Sequence, residues 1–321
     1  MKYTTFEELQ KQIQQLYGRS DYQAALEVAI EHASEFPEQV HLLAYWQAAL
    51  SARTGSLDAA VEYLNRMIQT GFWYSQAILR NSPSFKVLQG LPAFEALVER
   101  NQLNHEAEHN QVFPLLTLRS EGRCQAGGEQ CPLLIALHAN ASTAQASIDF
   151  WRTPARNGWL TAMPQSTQAL WQGAYIWDDQ GITSQEIRKH YHTLVSQYAV
   201  DGSRVILAGR SLGAEMAAWL ALSAVIPVEG FIAVNPAGPM TSYLLEWQQF
   251  LEANPLPGLR GYVIWGENDS TIPQENLPGL VELFNNAGIE TEFEALPGAG
   301  HEFCVEYEDS LMRGLNFIES G

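Results

Sequence analysis

Val205-Ile206-Leu207-Ala208-Gly209-Arg210-Ser211-Leu212-Gly213-Ala214-Glu215-Met216-Ala217-Ala218-Trp219 decides the reading of this chain. A β-branched apolar run leads in and an alanine-rich helical run leads out, so the segment reads as strand, sharp turn, helix. Serine sits at the tip in a G-x-S-x-G frame. Glycines two positions either side are required because strand and helix backbones nearly touch at such a turn. A hydroxyl held there faces the free amides of a helix N-terminus, which favour developing negative charge. Ser211 is therefore the candidate nucleophile.

Around this element, short apolar runs alternate with helical patterns from Phe113 onward. The runs are PLLTL, PLLIALHA, GWLTAMPQS, RVILAG, GFIAVNPA, GYVIWGEND and TEFEALPG. Helical patterns fall near residues 143–156, 183–199, 212–225, 242–253, 275–287 and 303–318. Strands apolar on both faces, alternating with helices, predict an α/β fold with a doubly wound, mostly parallel sheet. Chemistry in such sheets sits at the carboxyl ends of the strands. Two later strands end in candidate partners for Ser211: one in Gly266-Glu267-Asn268-Asp269, the last in Gly298-Ala299-Gly300-His301. The order Ser211, Asp269, His301 suits a nucleophile, an orienting acid and a base, with Glu267 as the rival acid. Leu212 N–H, directly after the nucleophile, is one candidate oxyanion donor. Little more than one helix of chain separates GFIAVNPA from Asp269, too little for a large cap.

Residues 113–318 resemble the phospholipase/carboxylesterase and esterase group of α/β-hydrolases, through PLLIALHAN, AMPQSTQ, YIWDD, VDGSRVILAGRSLG, GEND and GAGH. The resemblance implies hydrolysis of a carboxylic ester or thioester through an acyl-enzyme, without cofactor or metal. In this family a strand followed by His-Gly supplies the second oxyanion amide. Here Leu137-His138-Ala139-Asn140 carries alanine in the glycine position, which places the donor at Asn140 N–H, with Ala139 next. His138 itself is expected to orient the loop. Trp171, Tyr175 and Trp177, in an aromatic stretch after a strand, are candidates to border a substrate pocket, against the plainer reading of packing. Arg210 either pairs with Glu215 beneath the turn or meets a substrate carboxylate.

The first hundred residues differ: glycine and proline are sparse and apolar residues recur at three and four spacing, predicting helices. Asp21-Tyr22-Gln23-Ala24-Ala25-Leu26 repeats as Ser56-Leu57-Asp58-Ala59-Ala60-Val61, 35 positions later. That period suits a helix–turn–helix unit. Through GRSDYQAALEVAIEHASEFPEQ and TGSLDAAVEYLNRMIQTGF the segment resembles tetratricopeptide-like repeats. Expected domains are thus 1–108, all-α and repeat-like, and 109–321, the α/β-hydrolase domain. The helices either pack on the hydrolase or a second subunit, or offer a protein partner a groove. A polar stretch, Asn101–Asn110, reads as a solvated linker helix. Within it His105-Glu106-Ala107-Glu108-His109 matches H-E-x-x-H, but polar flanks argue against a zinc site.

Formal net charge is −18, with 8 basic against 13 acidic residues before position 112 and 10 against 23 after. Neither part offers the basic footprint of a nucleic-acid binder, and neutral small acyl esters or thioesters suit the field best. The polar start, MKYTTFEELQ, lacks the basic-then-apolar order of a signal peptide, and no apolar run is long enough for a membrane span. A cytoplasmic location is expected, in which Cys124 and Cys131, flanking Gly127-Gly128, remain free thiols rather than meeting across a hairpin. Two other readings stay open: a helical-repeat interaction protein on a non-catalytic hydrolase scaffold, and a serine aminopeptidase-like enzyme.

Overall fold

The computed structural model describes residues 3–109, 114–254, 258–273, 275–301 and 306–321. It divides into two compact units: residues 1–112 with Ala169–Gln172, and Phe113–Gln168 with Gly173–Gly321.

The first unit holds α1 (Phe6–Gly18), α2 (Tyr22–Glu31), α3 (Val40–Arg53), α4 (Leu57–Gln69), α5 (Gln76–Asn81) and α6 (Pro92–His109). Thr5 and Glu8 close a capping box on α1, satisfying two amides that a helix start leaves unpaired. The 35-residue repeat is structural. Asp21 and Ser56 cap α2 and α4 at φ −85°, with ψ 65° and 70°. Their amides return to Leu16 O at 3.0 Å and Ser51 O at 2.8 Å, which are themselves 35 positions apart. Ala25 and Ala60, the second alanine of each copy, are fully buried.

Asn101–His109 forms the last turns of α6 rather than a solvated linker. Asn101 is buried; its Oδ1 accepts from Tyr74 N–H at 2.8 Å and its Nδ2 donates to Tyr74 O at 2.8 Å. Asn104 Nδ2 donates to Ile68 O and Phe72 O. The polar residues face inward because each meets a backbone group that would otherwise lack a partner. His105 packs its ring 4.3 Å from that of Trp73; the side chain of His109 lies outside the described residues.

The strands are β1 (Leu115–Leu118), β2 (Cys131–Leu137), β3 (Leu160–Pro164), β4 (Ala169–Trp171, counted with the first unit), β5 (Ala174–Tyr175), β6 (Val200–Arg210), β7 (Gly230–Val234), β8 (Arg260–Gly266) and β9 (Glu290–Leu296). The helices of the second unit are α7 (Arg152–Arg156), α8 (Gln180–Gln197), α9 (Leu212–Leu222), α10 (Pro239–Ser242), α11 (Leu244–Ala253), α12 (Asn276–Asn286) and α13 (Glu306–Glu319). Seven strands form one sheet in the order β1-β3-β2-β6-β7-β8-β9. All its neighbours are parallel except β1, which pairs antiparallel with β3 at the edge.

Alternation along the strands splits the interior into two cores. Leu133, Ile135, Val205, Leu207, Phe231 and Val263 pack with α8, α9, α11 and α12. Leu134, Ala136, Ile206, Ala208, Ile232 and Ile264 pack with Trp151 and α13. Period two thus puts successive side chains on opposite faces, each covered by helices. The expected doubly wound α/β-hydrolase sheet preceded by an all-α segment is what the chain adopts.

Cys124 and Cys131 form a disulfide, with Cα atoms 5.5 Å apart. This corrects the expectation of free thiols. The turn through Gly127 (φ +74°) brings Cys124 back beside the first residue of β2.

Candidate active site

Four sheet segments deliver the site from their carboxyl ends: β2 to His138–Asn140, β6 to Ser211, β8 to Asp269 and β9 to His301. Ser211 adopts φ 57°, ψ −127°, outside the regions serine ordinarily occupies. Close packing imposes this turn. A Cβ on Gly209 would lie 2.1 Å from Gly213 O, and one on Gly213 2.3 Å from His138 O. The same crowding brings the start of α9, with Leu212 N–H at its first position, against the loop that carries Ala139 and Asn140. Leu212 is buried, Ala139 half-buried and Asn140 exposed.

His301 Nδ1 and Asp269 Oδ2 are 2.7 Å apart. Asp269 is 2% exposed, and its Oδ1 accepts from Thr271 N–H at 2.9 Å. Burial alone would raise this carboxyl's pKa, but the bonds from His301 and Thr271 outweigh it, and the net direction is down. Asp269 therefore stays ionised and fixes the proton of His301 on Nδ1, which leaves Nε2 as the acceptor. Glu267, the rival acid, is exposed, and its amide donates to Leu296 O at 3.1 Å. Among the described residues Ser211 Oγ makes no hydrogen bond.

His138 is buried, and its Nδ1 lies 2.9 Å from Ala139 O. Burial pushes its pKa down to about 4, so the ring is neutral, donates from Nδ1 and offers Nε2 to Ser166 N–H at 3.4 Å. It clamps its own loop, as expected of an orienting residue.

Arg210 does not pair with Glu215. Glu215 is buried and accepts from the amides of Met240 at 3.3 Å and Thr241 at 2.6 Å, at the start of α10. Burial pushes its pKa up. Arg210 turns the other way, donating from Nη2 to His301 O at 2.7 Å. It also lines a cavity of about 130 Å³ with Ala139, Ser142, Ser147, Phe150 and Trp151.

The aromatic candidates Trp171, Tyr175 and Trp177 do not line this cavity. Trp177 is fully buried in the core, its ring 4.9 Å from that of His138. Tyr175 is buried and exchanges backbone bonds with Ser142. Trp171 belongs to the first unit, paired with Tyr74 and 5.7 Å from the His41 ring. The run is apolar because it packs. The residues that do border the cavity, Phe150 and Trp151, are spaced like any helix-flanking aromatics and carry no motif. Asn235, directly after β7, is the other residue sequence reasoning passed over. It looks like an ordinary turn residue before a proline.

Residues 5–109 match the model of the A/B hydrolase-like N-terminal domain, and residues 162–314 that of the dienelactone hydrolase family. Among solved structures, an uncharacterized protein from Bacillus cereus ATCC 10987 is similar over 99% of both chains, at 23% identity and TM-score 0.53. Esterase PE8 is similar over 64% of this chain and 97% of its own, at 17% identity and TM-score 0.50. A dienelactone hydrolase-like promiscuous phosphotriesterase from metagenomic libraries is similar over 64% and 91%, at 14% identity and TM-score 0.51. No curated protein matches the chain in a sequence search. At these identities the structures show a shared fold, and the matched family is the dienelactone hydrolases where the sequence resemblance pointed to phospholipase/carboxylesterases. The chain thus has the α/β-hydrolase fold of a hydrolase, with residues 5–109 similar to the A/B hydrolase-like N-terminal domain and residues 162–314 similar to the dienelactone hydrolase family.

Proposed function

We propose that the protein is a serine esterase acting on small, neutral carboxylic esters or thioesters through an acyl-enzyme. Ser211 is the nucleophile, His301 the base and Asp269 the orienting acid. The observation that carries this reading is the 2.7 Å His301–Asp269 pair beside a serine held at φ 57° on a strand-to-helix turn.

Substrate docking closes the remaining contact, between Ser211 Oγ and His301 Nε2, as catalytic bonds commonly tighten only in the complex. His301 Nε2 takes the hydroxyl proton as Oγ bonds to the carbonyl carbon. Leu212 N–H and Asn140 N–H, with Ala139 N–H as the alternative, receive the oxyanion, and each such donor is worth about 3 kcal/mol. The imidazolium then protonates the departing alkoxide or thiolate as its bond to carbon breaks. Water, deprotonated by the same imidazole, releases the acid. Each step uses only groups of this chain. The cavity of about 130 Å³ beside Ala139 and Arg210 has room for a short acyl group.

Hydrolysis of p-nitrophenyl acetate and butyrate, with labelling by a fluorophosphonate, tests the reading. Ser211→Ala should abolish both, with a loss on the order of 10⁶ in kcat. Turnover that survives in Ser211→Ala would end it.

A further inference from the structure

Asn235 stands level with the nucleophile. Arg210 and Val234 are partners in the parallel register of β6 and β7, so Ser211 and Asn235 are the next residues on adjacent strands. Ser211 N–H donates to Val234 O at 3.0 Å, and Asn235 N–H to Ile264 O at 2.8 Å on β8. Asn235 is 1% exposed and has φ +43°. A buried amide in that backbone conformation is held there by what its side chain does.

The side chain uses both ends. Oδ1 accepts from Gly266 N–H at 2.8 Å, where β8 turns towards Asp269. Nδ2 donates to Gly300 O at 3.1 Å and to Tyr307 Oη at 2.5 Å, and lies 3.5 Å from His301 O. The two turns are pressed together at this point: a Cβ on Gly266 would lie 2.5 Å from Ala299 O and from Gly300 O. They are also bonded to each other, through Asn268 N–H to Ala299 O at 2.8 Å. Acid and base thus move as one body. The β7–β8 ladder carries the Asp269 turn, and Asn235 and the Arg210–His301 bond add side-chain ties from both turns to the strands beside Ser211.

We propose that Asn235 is a positioning residue: its carboxamide fastens the joined Asp269 and His301 turns to β7 and so sets the imidazole at its distance from Ser211. The inference rests on the triad proposed above. Only an amide fits the role, because one atom must accept from Gly266 N–H while its neighbour donates to Gly300 O. Aspartate keeps the acceptor and loses the donor, and it meets the carbonyl of Gly300 with negative charge.

The test compares Asn235→Gly and Asn235→Asp with wild type and Ser211→Ala on p-nitrophenyl acetate. Glycine removes the side chain and tolerates the positive φ, and aspartate tolerates it too, so at least one variant retains the fold. Both should lose about 10²-fold in kcat, the effect of a misplacement near 1 Å, with KM within about twofold of wild type. The low-field proton of the His301–Asp269 hydrogen bond should persist in both, because acid and base remain joined. Full kcat in either folded variant, with Ser211→Ala inactive, would overturn the role of Asn235 and leave the esterase reading standing. Loss of the low-field proton along with kcat would also overturn it, by showing general disruption of the site. Activity in Ser211→Ala would remove the triad and this inference together.

Discussion

The guanidinium of Arg210 donates to the carbonyl oxygen of His301 at 2.7 Å, so the residue before Ser211 holds the backbone of the proposed base. Arg210 also faces the cavity beside the oxyanion loop. Holding His301 and meeting a substrate carboxylate, the role expected from the sequence, therefore separate by measurement. If it positions His301, Arg210→Met should lower kcat by about tenfold on acetate and on hemisuccinate esters alike. A rise in KM confined to the hemisuccinate would instead assign Arg210 to a substrate carboxylate.

The turn that holds Ser211 stores backbone strain: serine at φ 57°, ψ −127° costs about 1–3 kcal/mol. Ser211→Gly should abolish turnover and stabilise the chain by about 1 kcal/mol, the strain relieved less the added freedom of glycine when unfolded. Ser211→Ala keeps the strain and should unfold in urea close to wild type. Equal midpoints for the glycine and alanine variants would refute the argument.

The neutral, buried His138 gives a pH dependence with a definite sign. Its folded pKa is about 4, below an unfolded value of about 6.5. Between these values the unfolded chain binds the extra proton, so stability falls as pH drops. A shift of that size amounts to about 3 kcal/mol. Urea midpoints at pH 7 and pH 4.5 should differ more in wild type than in His138→Gln, which has no ring to protonate.

The Cys124–Cys131 disulfide closes a short loop, with a sequence separation of 7. Constraining a loop of that length in the unfolded chain is worth about 2 kcal/mol. Dithiothreitol should lower the unfolding free energy by that much, and Cys131→Ser should be insensitive to it. Mass spectrometry of alkylated protein from cells reads the compartment as well. Such bonds persist in oxidising surroundings, so a fully oxidised pair would count against the cytoplasmic location.

Each compact unit has hydrophobic clusters of its own, Leu9 to Val98 in one and Cys124 to Ile318 in the other. A chain starting at residue 109 should therefore remain soluble and unfold cooperatively, as an independent hydrolase domain would. Aggregation of that fragment would mean that the helical residues 1–108 are needed to complete it.

What could be read from residues in order was whatever repeats locally or recurs at the ends of strands. Short apolar runs alternating with helical patterns predicted the seven sheet strands, because strands apolar on both faces with helices between them have few other solutions. The glycines around Ser211 announced a close approach, and Asp269 and His301 were legible because each closes a late strand. The shared pattern around Asp21 and Ser56 announced a repeat that the caps reproduce.

What only tertiary structure decided was the direction in which polar and aromatic side chains turn. Asn101 and Asn235 look like linker and turn residues, yet each is buried because it serves backbone groups brought close by folding. Glu215 meets the amides of residues 240 and 241 rather than its neighbour Arg210, and Trp177 fills a core instead of facing a ligand. Whether a hydrogen-bonding group stays in water depends on which partners lie within 3 Å or so after folding. Those partners are set by strand order and crossover, which join residues dozens of positions apart, and no local pattern of amino acids records them.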